Sequence, residues 1–178
     1  RSGCSKQGLL NSLDMKKIFL VVFLGMIFPC SITANLVFND KVSLKVTLKN
    51  NEPTVVKTAF GMLQSDYRQV FRQPILNVKE GQVLIATIGN NNIVEKIIGN
   101  EVIEELKQHP EGFAMKVIKD KLYILGSDKR GTAYGILELS RIIGVSPWVW
   151  WADSPILKKS SQTLDDGFSK LEYPSVKL

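Results

Sequence analysis

The sequence predicts a mixed α/β domain in which helices pack on a sheet in two layers. Three observations predict it. Five short runs, Leu36–Phe38, Val42–Leu48, Gln82–Thr87, Phe113–Ile118 and Lys121–Leu125, have the length and apolar character of strands. Two longer stretches, Val55–Phe71 and Thr132–Ile143, repeat apolar residues every three or four positions, as one face of a helix does. Their order, β-β-α-β-α-β-β-α, interleaves the two kinds of element over roughly 115 residues, the size of a layered single domain.

Each element has a local reason. Val42-Ser43-Leu44-Lys45-Val46-Thr47-Leu48 alternates apolar and polar residues, the mark of a half-buried strand. Asn39-Asp40-Lys41 supplies turn residues before it, so Leu36–Phe38 is expected to form a hairpin with it. Val56, Phe60, Leu63, Tyr67 and Val70 make one stripe of the first helix, with Thr54 as its expected N-cap and Pro74 barring continuation. Gln82–Thr87 is continuously apolar, which suits a strand buried on both faces, and ends at Gly89-Asn90-Asn91-Asn92. Ile93–Ile98 and Glu101–Gln108 are short helical pieces broken at Gly99. Gly126–Gly131 is a loop, and Ile136, Leu139, Ile142 and Ile143 form the core face of the helix that follows, with Gly144 as its C-cap. The domain is expected over residues 35–150. Residues 151–178, polar and irregular after Trp151, read as a linker.

The N-terminal segment reads differently. Met15-Lys16-Lys17 precedes Ile18–Phe28, an apolar run of 11 residues. A membrane-spanning helix needs roughly 17–25. A charged start, a short apolar stretch and small residues up to Ala34 predict a secretory signal peptide over 15–34, and hence an exported protein with no membrane segment in its mature form. Lipid anchoring at Cys30 is the competing reading, disfavoured by bulky Phe28 and Pro29 just before it. Residues 1–14 lie upstream of that start and read as non-native translation, outside the fold.

Charge and cysteine content exclude several functions. The formal charge is +6, but residues 35–178 carry 19 basic and 16 acidic residues, too balanced for a nucleic-acid footprint. Cys4 and Cys30, the two cysteines, fall in the N-terminal segment, so the mature chain is expected to have no disulfide and no thiolate nucleophile. His109, the one histidine, lies in a turn-like polar stretch and reads as a solvated loop residue. No cofactor and no metal are expected.

Three features bear on chemistry. Gly126-Ser127-Asp128-Lys129-Arg130-Gly131-Thr132 joins a strand to a helix. Helix-start amides bind anions, and Lys129 and Arg130 would assist, but the spacing is neither a P-loop nor G-x-G-x-x-G. The simpler reading is that Ser127 or Asp128 caps the helix while the cations pair locally. Ser146–Pro155 gathers all three tryptophans, Trp148, Trp150 and Trp151, ahead of Asp153. If extended, Trp148 and Trp150 face one way and Trp151 the other. Indole faces are platforms for sugar rings, and equally a hydrophobic plug against a neighbouring domain. The third feature is an absence. Glycosidases use two carboxylates flanking the scissile bond, and nothing in the sequence pairs Asp128 with Asp153. Glu101, Glu104 and Glu105 read as a solvated helix face.

Gly126-Ser-Asp-Lys-Arg-Gly-Thr-Ala-Tyr-Gly135 and Gly144-Val-Ser-Pro-Trp-Val-Trp-Trp-Ala-Asp153 closely resemble the N-terminal region of glycoside hydrolase family 115, the xylan α-1,2-glucuronidases. Leu84–Gly89 and Pro174–Lys177 fit the same family in order, and the resemblance runs from about Leu36 to Lys177. Val149 departs from it, standing where the family often has Tyr. A looser likeness exists to the α/β domain preceding the barrel in hexosaminidases. The resemblance implies an accessory domain of the kind that precedes a (β/α)8 glycosidase barrel. It implies that the chain stops before that barrel, which carries the acid and base carboxylates, so no catalytic residue is assigned here. Xylan-type polysaccharide is then the partner, reached through the barrel. Trp148, Trp150, Trp151, Asp153, Lys129 and Arg130 are the candidate substrate-contacting residues. The competing readings are a noncatalytic carbohydrate-binding module and the accessory domain of another barrel glycosidase, such as a hexosaminidase.

Overall fold

The computed structural model describes residues 35–175. The expected signal peptide, Cys4 and Cys30 lie outside the described residues. Thirteen elements follow in order: β1 (Leu36–Asn39), β2 (Leu44–Leu48), α1 (Thr54–Phe71), β3 (Ile75–Asn77), β4 (Val83–Thr87), α2 (Asn92–Ile98), α3 (Asn100–Gln108), β5 (Phe113–Ile118), β6 (Lys121–Gly126), α4 (Lys129–Ile143), α5 (Val149–Ala152), β7 (Ser161–Leu164) and β8 (Ser169–Glu172). Six strands form one mixed sheet in the order β3-β2-β4-β6-β5-β8. The β3-β2-β4-β6 part is parallel, and β5 runs antiparallel to both its neighbours.

The sheet is covered on both faces. Leu122 and Ile124 of β6 point into the cluster formed by α1 and α4, with Val46, Ile85 and Met115. Tyr123 and Leu125, the alternate residues, point into a second cluster with Val94, Ile98, Ile103 and Leu106 of α2 and α3. Successive side chains of a strand face opposite ways, so a strand between two helical layers must be apolar at every position. The mixed sheet with packed helices is as predicted. The expected two layers become three, because α2 and α3 take the face opposite α1 and α4.

The hairpin expected at Asn39–Lys41 does not form. Asn39 Oδ1 accepts from the backbone N–H groups of Lys41 and Val42, both at 2.9 Å, and this side-chain turn leads the chain away from β1. β1 pairs instead with β7, Leu36 opposite Leu164. The strand β3 has no sequence counterpart in the reading above. Its three residues are too short to show a period, and parallel pairing with β2 places them. Asn77 closes the pair with its amide, accepting from Leu48 N and donating to Leu48 O, both at 3.1 Å. Thr54 is the first residue of α1 rather than its cap; Pro53 holds the cap position without a side-chain bond.

Residues 161–172, expected within a linker, supply two strands. Their polar composition reflects edge positions, where one side of each strand meets water. β8 is held by charge as well as by its ladder. Glu138 of α4, only 9% exposed, accepts from Arg141 Nε and Nη2 at 2.7 and 2.6 Å and from Lys170 Nζ at 2.5 Å. Burial alone would raise this carboxyl, but the bonds from Arg141 and Lys170 outweigh it and hold it below the ordinary 4.5. A lowered folded value contributes stability above the unfolded value, lost as pH falls through the folded one. Glu138→Gln is therefore expected to cost about 1–3 kcal/mol at pH 7 in urea unfolding. The gap between the variant and the original protein should narrow as pH drops below 4.5.

The join between β6 and α4 is tight. A Cβ on Gly131 would fall on the Gly112 carbonyl oxygen, and one on Gly126 on the backbone nitrogen of Thr132. Neither obstacle is a side chain that could swing away. Gly131→Ala is expected to destabilise by about 3 kcal/mol, at the upper end of overpacking costs, as a lowered midpoint in urea.

Candidate functional site

The structure starts α4 at Lys129, three residues earlier than the periodicity predicts. Asp128 is its cap, one of the two residues expected to fill that role. Its Oδ1 accepts from Arg130 N at 2.8 Å and Gly131 N at 2.9 Å, and its Oδ2 from Glu111 N at 3.0 Å. The anion that a helix start attracts is thus supplied by the chain itself. Arg130 Nη1 meets Glu111 Oε1 at 2.6 Å, and this contact raises the guanidinium further above its ordinary value. Lys129 is exposed. The glycine-rich segment therefore serves close packing and capping. Nearby, Thr87 Oγ1 donates to buried Glu52 at 2.9 Å and lies 2.8 Å from Thr132 Oγ1, tying the end of β4 to the loop before α1 and to the first turn of α4.

The tryptophan segment is helical rather than extended. Val149–Ala152 form a single turn, closed by Ala152 N donating to Trp148 O at 2.8 Å. The expectation of alternate sides for successive tryptophans fails for that reason. Val149 and Ile156 pack against the main core and anchor the turn. Trp148 is 65% and Trp151 84% exposed. The backbone of Trp150 lies in the turn, and its side chain lies outside what the structure describes. Asp153 is exposed and caps the turn in the left-handed region, at φ 47°. Lys129 and Arg130 stand at the opposite end of α4, about 22 Å along a helix of this length. They do not join the tryptophans in one site.

Sequence reasoning missed what lies beside the turn. An open groove of about 560 Å³ is lined by Arg68 of α1 and Arg72, which caps that helix, together with Val149, Asp153, Ile156 and Lys158. Lys159 N donates to Val70 O at 3.1 Å and lays the 149–159 segment along α1. The groove abuts a second of about 500 Å³ that shares Gln69, Val149 and Ile156 and reaches Asp66. Burial raises the Asp66 carboxyl above its ordinary 3.8. The arginines precede the tryptophans by some 80 residues, so no local pattern could have linked them. Among the described residues no three His, Cys, Asp or Glu side chains gather as a metal site, and no helix is long and apolar enough to cross a membrane.

The described residues thus form a layered α/β domain that exposes Trp148 and Trp151 on a short turn beside α1. Comparison with solved structures carries this further. The chain is similar to a 4-O-methyl-α-glucuronidase of family GH115 with specificity for decorated arabinogalactans, at 35% identity and a TM-score of 0.72. The match covers 79% of this chain and 19% of that enzyme. The domain is thus of the glycoside hydrolase family 115 type, as its two motifs indicate, and spans about a fifth of that enzyme's length. A GH20 exo-β-N-acetylglucosaminidase from Vibrio harveyi also matches, at 8% identity and a TM-score of 0.47 over 79% of this chain and 17% of its own. Likeness at that level adds nothing to the argument. No family model and no curated protein matches the sequence.

The exposure of Trp151 sets an expectation for the isolated chain. Trp151→Ala should change its unfolding free energy by no more than about 0.5 kcal/mol, the range of surface substitutions, because the ring contributes little to the core. Urea unfolding followed by circular dichroism checks it.

Proposed function

We propose that this chain is the accessory domain of an exported α-glucuronidase that removes (4-O-methyl)glucuronic acid from xylan, with the acid and base carboxylates on a barrel that follows it. The observation that carries the reading is the 35% identity, at a TM-score of 0.72, with a 4-O-methyl-α-glucuronidase. That relative is specific for decorated arabinogalactans, so a glucuronate cap on a polysaccharide branch is the shared chemistry, and xylan and arabinogalactan are the two backbones to compare. In this reading the Trp148–Asp153 turn faces the barrel, at or near the edge of the substrate cleft.

The test is hydrolysis by the polypeptide extended past Leu178 in the same reading frame. It is expected to release (4-O-methyl)glucuronate from glucuronoxylan or from decorated arabinogalactan, while the 178-residue chain alone releases none. Release of N-acetylhexosamine from an N-acetylhexosaminide instead would assign the domain to a hexosaminidase.

The exposed rings of Trp148 and Trp151 favour a second reading, a noncatalytic carbohydrate-binding module. It requires that the 178-residue chain be retarded on a xylan affinity gel and that Trp151→Ala abolish the retardation with the fold intact.

A further inference from the structure

We propose that residues 146–158 form an Ω-loop that lifts from α1 as one unit, anchored at Gly144–Val145 and at Lys159, while the sheet and its helices stay folded. An Ω-loop is a compact surface loop of about 6–16 residues whose ends lie together. Here the two ends meet directly. Gly144 caps α4 in the left-handed region at φ 108°, and a Cβ on it would fall 2.7 Å from Lys159 Nζ. Both ends are pinned to the domain. Gly144 N and Val145 N donate to Ser140 O, and Lys159 N donates to Val70 O at 3.1 Å. Lys159 Nζ also donates to Gln162 Oε1 at 3.0 Å.

Between these ends the loop is bonded to itself. Trp148 N donates to Ser146 Oγ, Val149 N to Ser146 O, and Trp151 N and Ala152 N to Trp148 O. Pro147 and Pro155 fix φ near its two ends, which adds to this internal order. Among the described residues, no hydrogen bond or ion pair joins 146–158 to the rest of the domain. Two side chains hold the loop down, Val149 and Ile156, each partly buried against the main core. The grooves of about 560 and 500 Å³ are both lined by these two residues and by residues of α1, so the loop is loosely packed on the helix elsewhere. A segment ordered within itself and tied to its neighbour by few contacts opens cooperatively, at a free energy below that of global unfolding. Lifting it widens access to the groove lined by Gly61, Met62, Ser65 and Asp66, and carries Trp148 and Trp151 together. The exposed tryptophans thus stand on a movable arm rather than on a fixed wall of the domain.

The experiment is native-state amide exchange on the 178-residue chain, read residue by residue by NMR. The amides of Trp148, Val149, Trp151 and Ala152 are expected to share one opening free energy and to exchange roughly a hundredfold faster than those of β6. Ile156→Ala removes one anchor and should speed all four together by about tenfold. Val149→Ala, at the other anchor, should do the same. Ile103→Val thins the second core cluster, on the face of the sheet opposite α1. It should speed exchange in β6 by about fivefold and leave the four loop amides unchanged, because the loop opens with that cluster intact. Four loop rates that differ from one another, or that respond unequally to Ile156→Ala, overturn the single unit. Loop amides as slow as β6, or accelerated with it by Ile103→Val, overturn the separate opening.

Discussion

The close approach of α4 to the sheet is the constraint on which the rest of this domain depends. Three glycines, Gly126, Gly131 and Gly135, stand where any side chain would strike the neighbouring element. Their bareness lets α4 lie against β5 and β6, and that contact closes the larger core. Asp128 then fixes the angle of entry by binding two amides of its own helix and one from the 111–112 loop. A motif that looks like a ligand cradle in the sequence is therefore spent on packing. The anion it would attract is already covalently part of the chain.

From this contact the site follows in two steps. The core face of α4 packs on α1, so the two helices run side by side over one face of the sheet. The chain leaving α4 at Gly144 must then cross α1, and Val149 and Ile156 seat it there. Trp148 and Trp151 are left exposed because Val149 takes the inward position in the turn. The same crossing brings Lys158 beside Arg68 and Arg72. The three cations thus come together through one packing event rather than through any sequence proximity. The cations at Lys129 and Arg130 belong to the other end of the helix and are engaged in capping and pairing.

Charge does structural work at the opposite edge. Glu138 sits under a lysine of β8 and an arginine of its own helix, and the trio fastens the last strand to the domain. A segment with few apolar residues can join a sheet when its ladder and one buried ion-pair network replace the hydrophobic contacts it lacks. This is why composition alone made residues 161–172 look like a linker. Their period is too short and their burial too one-sided to register against a polar background.

Helices α1 and α4, strands β2, β4, β5 and β6, and the break at Gly99 were legible in the sequence, because each carries its own period or its own punctuation. The sequence also determined the family likeness, through two motifs whose residues are consecutive. What only the tertiary structure decided were the pairings between distant segments. β1 joins β7 rather than β2, because Asn39 turns the chain with a side-chain bond that no hydrophobic pattern records. β3 exists because β2 offers it a ladder, and α2 and α3 make a third layer because β6 is apolar on both sides. The candidate site divides in the same way. Its tryptophans are written side by side, whereas Arg68 and Arg72 come to Val149 and Lys158 only when α1 and the segment after α4 are packed together. Local structure follows from neighbouring residues, but a site is an arrangement in space, and its members need share only the core that holds them.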